Sequence, residues 1–180
     1  MKFKITLKID RKYGDLLPFN YQYEQSAVIY RILAQADTQY SSWLHENGYL
    51  LHERKRFKLF CYSPFIFEKV KPLKEEGCLK IIGGKAVWYI SFIPEKSTLE
   101  FIQGIFAHQS FTIGNKKCQV AFDVVGVEAI PMPQLSEEMT FVALSPICVK
   151  LHADNKTQYL SPDNPMFAEG VLKGLKARYE

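Results

Sequence analysis

Residues 20–65 read NYQYEQSAVIYRILAQADTQYSSWLHENGYLLHERKRFKLFCYSPF, and two periodicities run through them. Ala27, Ile29, Ile32, Leu33 and Ala36 recur at helical spacing, which predicts a helix from Asn20 or Tyr21 to about Ala36. Tyr23, Tyr30 and Arg31 fall near its margins. Asp37 is a natural N-cap for a second, short helix through Glu46, with Tyr40, Trp43 and Leu44 as its apolar stripe and Gly48 as its stop. His45 lies in the last turn, beside that stripe. The basic residues Arg54, Lys55 and Arg56 then lead into a strand from Phe57 through Phe60 to Tyr62, which Pro64 breaks and Phe65–Phe67 resumes as an edge.

Outward from this stretch the pattern is that of an α+β protein. Residues 1–9 alternate strictly, with Phe3, Ile5, Leu7 and Ile9 facing a core and Lys2, Lys4, Thr6 and Lys8 facing away. Downstream, residues 78–82 and 86–93 flank Gly83-Gly84 and predict a hairpin. A helix over 96–107 follows, with Leu99, Phe101, Ile102, Ile105 and Phe106 as its apolar positions. A second hairpin turns at Gly114-Asn115, between 111–113 and 117–127. The order is β-α-(α)-β-β-β-α-β-β, a ferredoxin-like (RRM-like) βαββαβ domain with an inserted short helix and extra strands, covering residues 1–130. Pro131 and Pro133 mark a linker over 131–139. Residues 140–151 then read as an apolar strand, Asp154-Asn155 as a turn, 158–160 as a short return and 166–178 as a helix. On this reading, residues 140–180 open a second ferredoxin-like domain with its first strand and helix.

Composition narrows the class. The chain has 180 residues, 47% hydrophobic and 23% charged, enough apolar material for a core and typical of a globular protein. No run approaches a membrane span and the N-terminus lacks a signal-peptide core, so the expectation is a cytoplasmic protein with no membrane partner. The four cysteines are widely spaced without a C-x-x-C pair, and are expected to be reduced thiols with no zinc site. Net charge is only +4, but residues 52–74 carry seven Lys or Arg against two acids, so the rest of the chain nets −1. Basic charge is therefore local, as a patch meeting phosphates requires.

Several pieces, taken together in order and spacing, carry a family resemblance. They are Leu17-Pro-Phe-Asn-Tyr-Gln-Tyr23, Ile29-Tyr30, Trp43-Leu-His45, Phe57-Lys-Leu-Phe60 with Tyr62-Ser-Pro64, and Leu144-Ser-Pro-Ile147; the helix over 166–178 fits as well. The chain resembles the CRISPR repeat-RNA endoribonucleases, the sixth Cas family within the RAMP superfamily. That family has two tandem ferredoxin-like domains and a glycine-rich C-terminal loop. Here the glycines beyond residue 130 are Gly170 and Gly174, both in the final helix. The expectation is a longer natural protein, with apolar surface on this chain exposed unless it dimerises.

The resemblance implies cleavage of precursor CRISPR RNA within its repeats, with no metal or other cofactor. The 2′-hydroxyl attacks the adjacent phosphodiester, leaving a 2′,3′-cyclic phosphate and a 5′-hydroxyl. Such chemistry needs a base, an acid and a cation on the phosphorane. It points to His45, Tyr30 and Lys58 as catalytic, with His52 as the rival to His45. Arg54, Lys55, Arg56, Lys2, Lys4 and Tyr23 become candidate RNA contacts. Partners are then CRISPR repeat RNA, other CRISPR-associated proteins and a second copy of the chain. Two other readings stay open: a non-catalytic RNA-binding RAMP subunit of an interference complex, and an unrelated ferredoxin-like interaction domain.

Overall fold

Strict alternation at the N-terminus produces a central strand. The protein's structure, a computed structural model, describes residues 1–51, 55–153 and 156–179. Strand β1 (Lys2–Asp10) buries Phe3, Ile5, Leu7 and Ile9 on one face. A 3-10 turn and β2 (Leu16–Pro18) lead to helices α1 (Gln22–Ala36) and α2 (Thr38–Glu46). Short strands follow: β3 (Tyr49–Leu51), β4 (Lys55–Phe57), β5 (Phe60–Tyr62), β6 (Ile66–Phe67), β7 (Val70–Leu73) and β8 (Cys78–Ile81). After them come β9 (Lys85–Phe92), α3 (Glu95–Ala107), β10 (Ser110–Gly114), β11 (Gln119–Ile130), β12 (Val149–Ala153), β13 (Lys156–Leu160) and α4 (Pro165–Tyr179).

The main sheet runs β10-β11-β1-β9-β5, with β6 also paired to β9. Ile5 of β1 sits opposite Val127 on one side and Trp88 on the other, both pairings antiparallel. Taking β1, β5, β9 and β11 as the core strands, their order is fourth, first, third, second. Helices α1 and α2 connect the first to the second, and α3 connects the third to the fourth. This is the ferredoxin-like βαββαβ arrangement. One face of the sheet carries the helices and a core that holds Trp88, Phe92, Phe101 and Phe122. Helices α1 and α3 approach so closely that a Cβ on Gly104 would lie 1.8 Å from the Ile32 carbonyl oxygen.

Four expectations from the sequence need correction. In α1 the buried face is Gln25, Val28, Ile29, Ile32 and Leu33, while Ala27 is exposed. These positions form a tighter i, i+3, i+4, i+7, i+8 stripe, and Gln25 is accommodated because its Nε2 donates to the Ser63 carbonyl at 3.0 Å. On α3, Leu99 and Phe106 are likewise exposed, and Ser97, Thr98 and Gly104 take the core side. Second, residues 57–62 are not one strand. Leu59 adopts a left-handed backbone (φ 55°), which divides β4, paired to β3, from β5, paired to β9. Third, β8 does not form a hairpin with β9. It pairs with β2 and with β7, which reaches it through the tight turn at Gly77. Fourth, the apolar run from Thr140 becomes strand only at Val149. Phe141 and Val142 are 78% and 84% exposed, and Pro146 has no N–H to offer a ladder. The β12–β13 hairpin and α4 form as expected; the predicted turn at Asp154-Asn155 lies outside the described residues.

The cysteines also depart from expectation. Cys78 and Cys118 are joined as a disulfide, while Cys61 and Cys148 are free and exposed. The bonded pair lies far apart in sequence, at the start of β8 and just before β11, so only tertiary packing brings the two together. Among the described residues, no helix is long and apolar enough to cross a membrane.

Candidate active site

The end of α2 gathers the predicted catalytic side chains. Asp37 caps this helix as expected, its Oδ1 accepting from the Tyr40 N–H at 2.8 Å. That backbone N–H, with help from Lys96, holds the Asp37 carboxyl below its ordinary range. Helix α2 is tied to α1 where Ser41 Oγ donates to the Tyr30 carbonyl at 2.8 Å. It is tied to α3 through Tyr40, whose hydroxyl meets Ser97 Oγ and, at 2.9 Å, the Tyr49 hydroxyl. Burial pushes the Tyr40 phenol strongly up. The first turn of α2 is thus fixed against both core helices and the start of β3.

Within this frame the Tyr30 and His45 rings meet edge to face, with centroids 5.0 Å apart. His45 is exposed and Tyr30 half-buried. Phe60 of β5 packs edge-on against Tyr30 at 5.7 Å and stacks on Tyr62 at 6.4 Å. Burial raises the Tyr30 phenol above its ordinary pKa, and the nearby Tyr62 adds to the shift. At neutral pH Tyr30 therefore keeps its proton and can donate it in a hydrogen bond. Lys58 reaches the same place from the link between β4 and β5, its Nζ donating to the carbonyls of Leu44 and His45. Burial, reinforced by Arg56, lowers the Lys58 ammonium below its usual pKa.

The structure therefore brings Tyr30, His45 and Lys58 together. Arg56 lies beside them, its Nη1 donating to Asn47 Oδ1 at 2.9 Å. Lys55 opens β4; Arg54 and His52 lie outside the described residues. Tyr23 is 82% exposed, two turns before Tyr30 on the same face of α1, about 10 Å away by helix rise. Lys2 and Lys4 belong elsewhere. They project from the face of β1 opposite the helices, Lys2 lying over the Tyr89 ring at 5.3 Å and Lys4 paired with Glu128 at 3.1 Å.

Sequence reasoning missed the supporting residues Asn47, Tyr49, Phe60 and Tyr62 as members of the site. Phe60 and Tyr62 were quoted only as part of the family pattern, and Tyr49 and Asn47 carried no local signal beyond the aromatic density around them; their roles follow from contacts between separate elements. A cavity of about 670 Å³ lies between β12 and α4 and reaches Phe57, but neither Tyr30 nor His45 lines it. The candidate site is an open surface with a basic flank, a shape suited to a polymer more than to an enclosed small molecule.

Known proteins with this sequence and shape agree on one family. Residues 16–124 match the family model described as CRISPR-associated protein Cas6, N-terminal, and residues 130–180 match CRISPR associated protein Cas6, C-terminal. The chain is 28% identical over 181 residues to the CRISPR-associated endoribonuclease Cas6 1 of Methanocaldococcus jannaschii, covering 98% of this chain and 65% of that protein. It is 25% identical to the CRISPR-associated endoribonuclease Cas6 of Pyrococcus furiosus, covering 99% of this chain and 64% of that one. The chain thus spans slightly less than two thirds of the length of these relatives. A solved structure described as an RAMP protein binding different RNA substrates superposes with a TM-score of 0.76 at 25% identity, covering 99% of this chain and 70% of that one. With the N-terminal family model spanning most of the sequence and both relatives and fold in agreement, the chain belongs to the CRISPR-associated Cas6 family.

Proposed function

We propose that this chain carries the active site of an endoribonuclease that cleaves precursor CRISPR RNA within its repeats in the cytoplasm. The observation that carries the reading is the edge-to-face contact of Tyr30 with the exposed His45, with Arg56 and Lys58 beside it. Curated relatives named as endoribonucleases support it. An exposed imidazole can take the 2′-hydroxyl proton at a free ring nitrogen or, once protonated, give a proton to the leaving 5′-oxygen. The neutral phenol of Tyr30 donates to a phosphoryl oxygen as negative charge develops there. Arg54, Lys55 and Arg56 supply the cationic charge that holds the phosphate, and no metal is needed. Tyr23 stacks a base farther along α1. Lys2 and Lys4 add sequence-independent affinity on the far side of the sheet. Residues 140–180 serve as the opening of a second ferredoxin-like domain that extends the RNA surface.

The test is cleavage of a repeat RNA in EDTA by this chain and by His45→Ala, with circular dichroism to establish that both fold. The expected result is cleavage by the parent alone, a cyclic 2′,3′-phosphate on the product, and a rate loss of about 100-fold or more in the variant. Binding without cutting by both proteins would instead support a non-catalytic RNA-binding RAMP subunit, the second reading, which the RNA-binding relative of the same fold favours.

A further inference from the structure

A phenol that donates to a developing oxyanion must have its ring held in place. Two rings meet Tyr30 edge to face, His45 with centroids 5.0 Å apart and Phe60 at 5.7 Å. His45 is exposed, whereas Phe60 is anchored from behind. Phe60 sits opposite Phe92 in the β5–β9 ladder, with ring centroids 5.8 Å apart. Phe92 is buried and meets Phe101 of α3 at 5.0 Å. Phe60 also stacks on Tyr62 at 6.4 Å, and the Tyr62 hydroxyl donates to the Gln22 carbonyl in the first turn of α1 at 3.1 Å. A line of rings therefore runs from the core to the surface through Phe101, Phe92, Phe60, Tyr30 and His45. The backbone delivers Phe60 to this place through the residue before it. Leu59 holds a left-handed φ of 55°, uncommon for a bulky residue, and its carbonyl accepts from the Ile93 N–H at 3.0 Å. That turn ends the pairing of β4 with β3 and starts the pairing of β5 with β9. Strain of this kind persists where the surrounding structure holds it.

We infer that Phe60 is a positioning residue for Tyr30: its ring, fixed by Phe92 and Tyr62, sets the Tyr30 ring against His45 so that phenol and imidazole address the same phosphate, and it does not itself contact the RNA. The inference rests on the proposed ribonuclease reading for its catalytic consequence, though not for its geometry. Aromatic rings prefer edge-to-face contact because their faces are negative and their edges positive. A ring at position 60 therefore specifies an orientation for Tyr30, where an aliphatic side chain would only fill space. Phe60 has no polar atom and can take no part in proton transfer itself. The division of labour is between Tyr30 and His45, which act on the RNA, and Phe60, which transmits to them the rigidity of the sheet.

The experiment compares the parent chain, Phe60→Leu and Phe60→Tyr, with thermal melts to check folding. Two readouts are taken: kcat and KM on repeat RNA, and the nuclear Overhauser contact between the Tyr30 and His45 rings in the free protein. Phe60→Leu is expected to weaken the ring contact and to lower kcat about 10- to 100-fold, the scale of a misplaced catalytic group. KM should hold. Phe60→Tyr, which keeps the ring, should keep the ring contact and most of kcat. A raised KM with unchanged kcat in Phe60→Leu would mean a lost RNA contact and would overturn the inference. So would an intact ring contact in Phe60→Leu, an unchanged kcat, or equal losses of kcat in the two variants. If the parent chain does not cut RNA at all, the ribonuclease reading fails, and the ring contact alone decides the positioning role. Should Phe60→Leu not fold, Phe60→Met, which fills the space with a flexible chain, takes its place in the same measurements.

Discussion

Burial holds the Tyr30 phenol protonated, and Tyr62 beside it adds to that preference. A tyrosine in this state is a poor base and a good hydrogen-bond donor, so its proposed work is to stabilise charge rather than to remove a proton. Replacement by phenylalanine keeps the ring that packs on Phe60 and His45 and removes only the donor. Tyr30→Phe is expected to lower kcat about 100-fold, as losing one oxyanion donor does, with KM and Tm close to the parent. Single-turnover cleavage and a thermal melt would check it; a large fall in Tm would assign the hydroxyl a structural role instead. Because the phenol works in its protonated form and its pKa is raised, its contribution should persist across neutral and mildly alkaline pH.

Helices α1 and α3 are set by a close approach that sequence periodicity alone does not reveal. Alanine at position 104 would gain up to about 1 kcal/mol in helix propensity. Against this stands a Cβ 1.8 Å from the Ile32 carbonyl oxygen, a contact that only helix displacement can relieve. Overpacking of this kind costs about 3 kcal/mol at its upper range, so the clash wins. Gly104→Ala is expected to lower Tm by roughly 5 °C. It should also reduce cleavage, because α3 anchors α2 through Ser97 and Tyr40. Calorimetry with a cleavage assay tests both. The same elements show what could be read in advance. Alternation in β1, the Asp37 cap and the Gly48 stop were legible because each is a local property. The partner of β8, the break at Leu59 and the carbonyls beneath Lys58 were not, because each depends on a segment brought close only by the fold. The family pattern singled out His45 and Tyr30, whereas the packing of Phe60 between Tyr30 and Tyr62 was not legible.

Across the whole molecule, the core titrates in one direction at high pH. Tyr21, Tyr30 and Tyr40 all have pKa values raised above the ordinary phenol, with burial the leading cause in each. In the unfolded chain these phenols ionise near pH 10. Between that point and their folded values, the native state keeps protons that the unfolded state has released, so stability must fall as pH rises. The stabilisation is fully present below about pH 10 and is lost as pH climbs through the folded values. Lys58 acts in the opposite sense, since its lowered pKa relieves a cost as it deprotonates. It is the more solvent-open group, whereas Tyr21 and Tyr40 are only 4% and 6% exposed, so the phenols dominate. Urea midpoints measured from about pH 8 to about pH 11 should hold until near pH 10 and then decline. Replacing Tyr40 by phenylalanine should shrink the alkaline decline while costing stability at neutral pH, because Ser97 and Tyr49 lose a hydrogen-bond partner. A midpoint that stays flat through pH 11 would show that these phenols ionise in place, and that the frame behind α2 is looser than its packing implies.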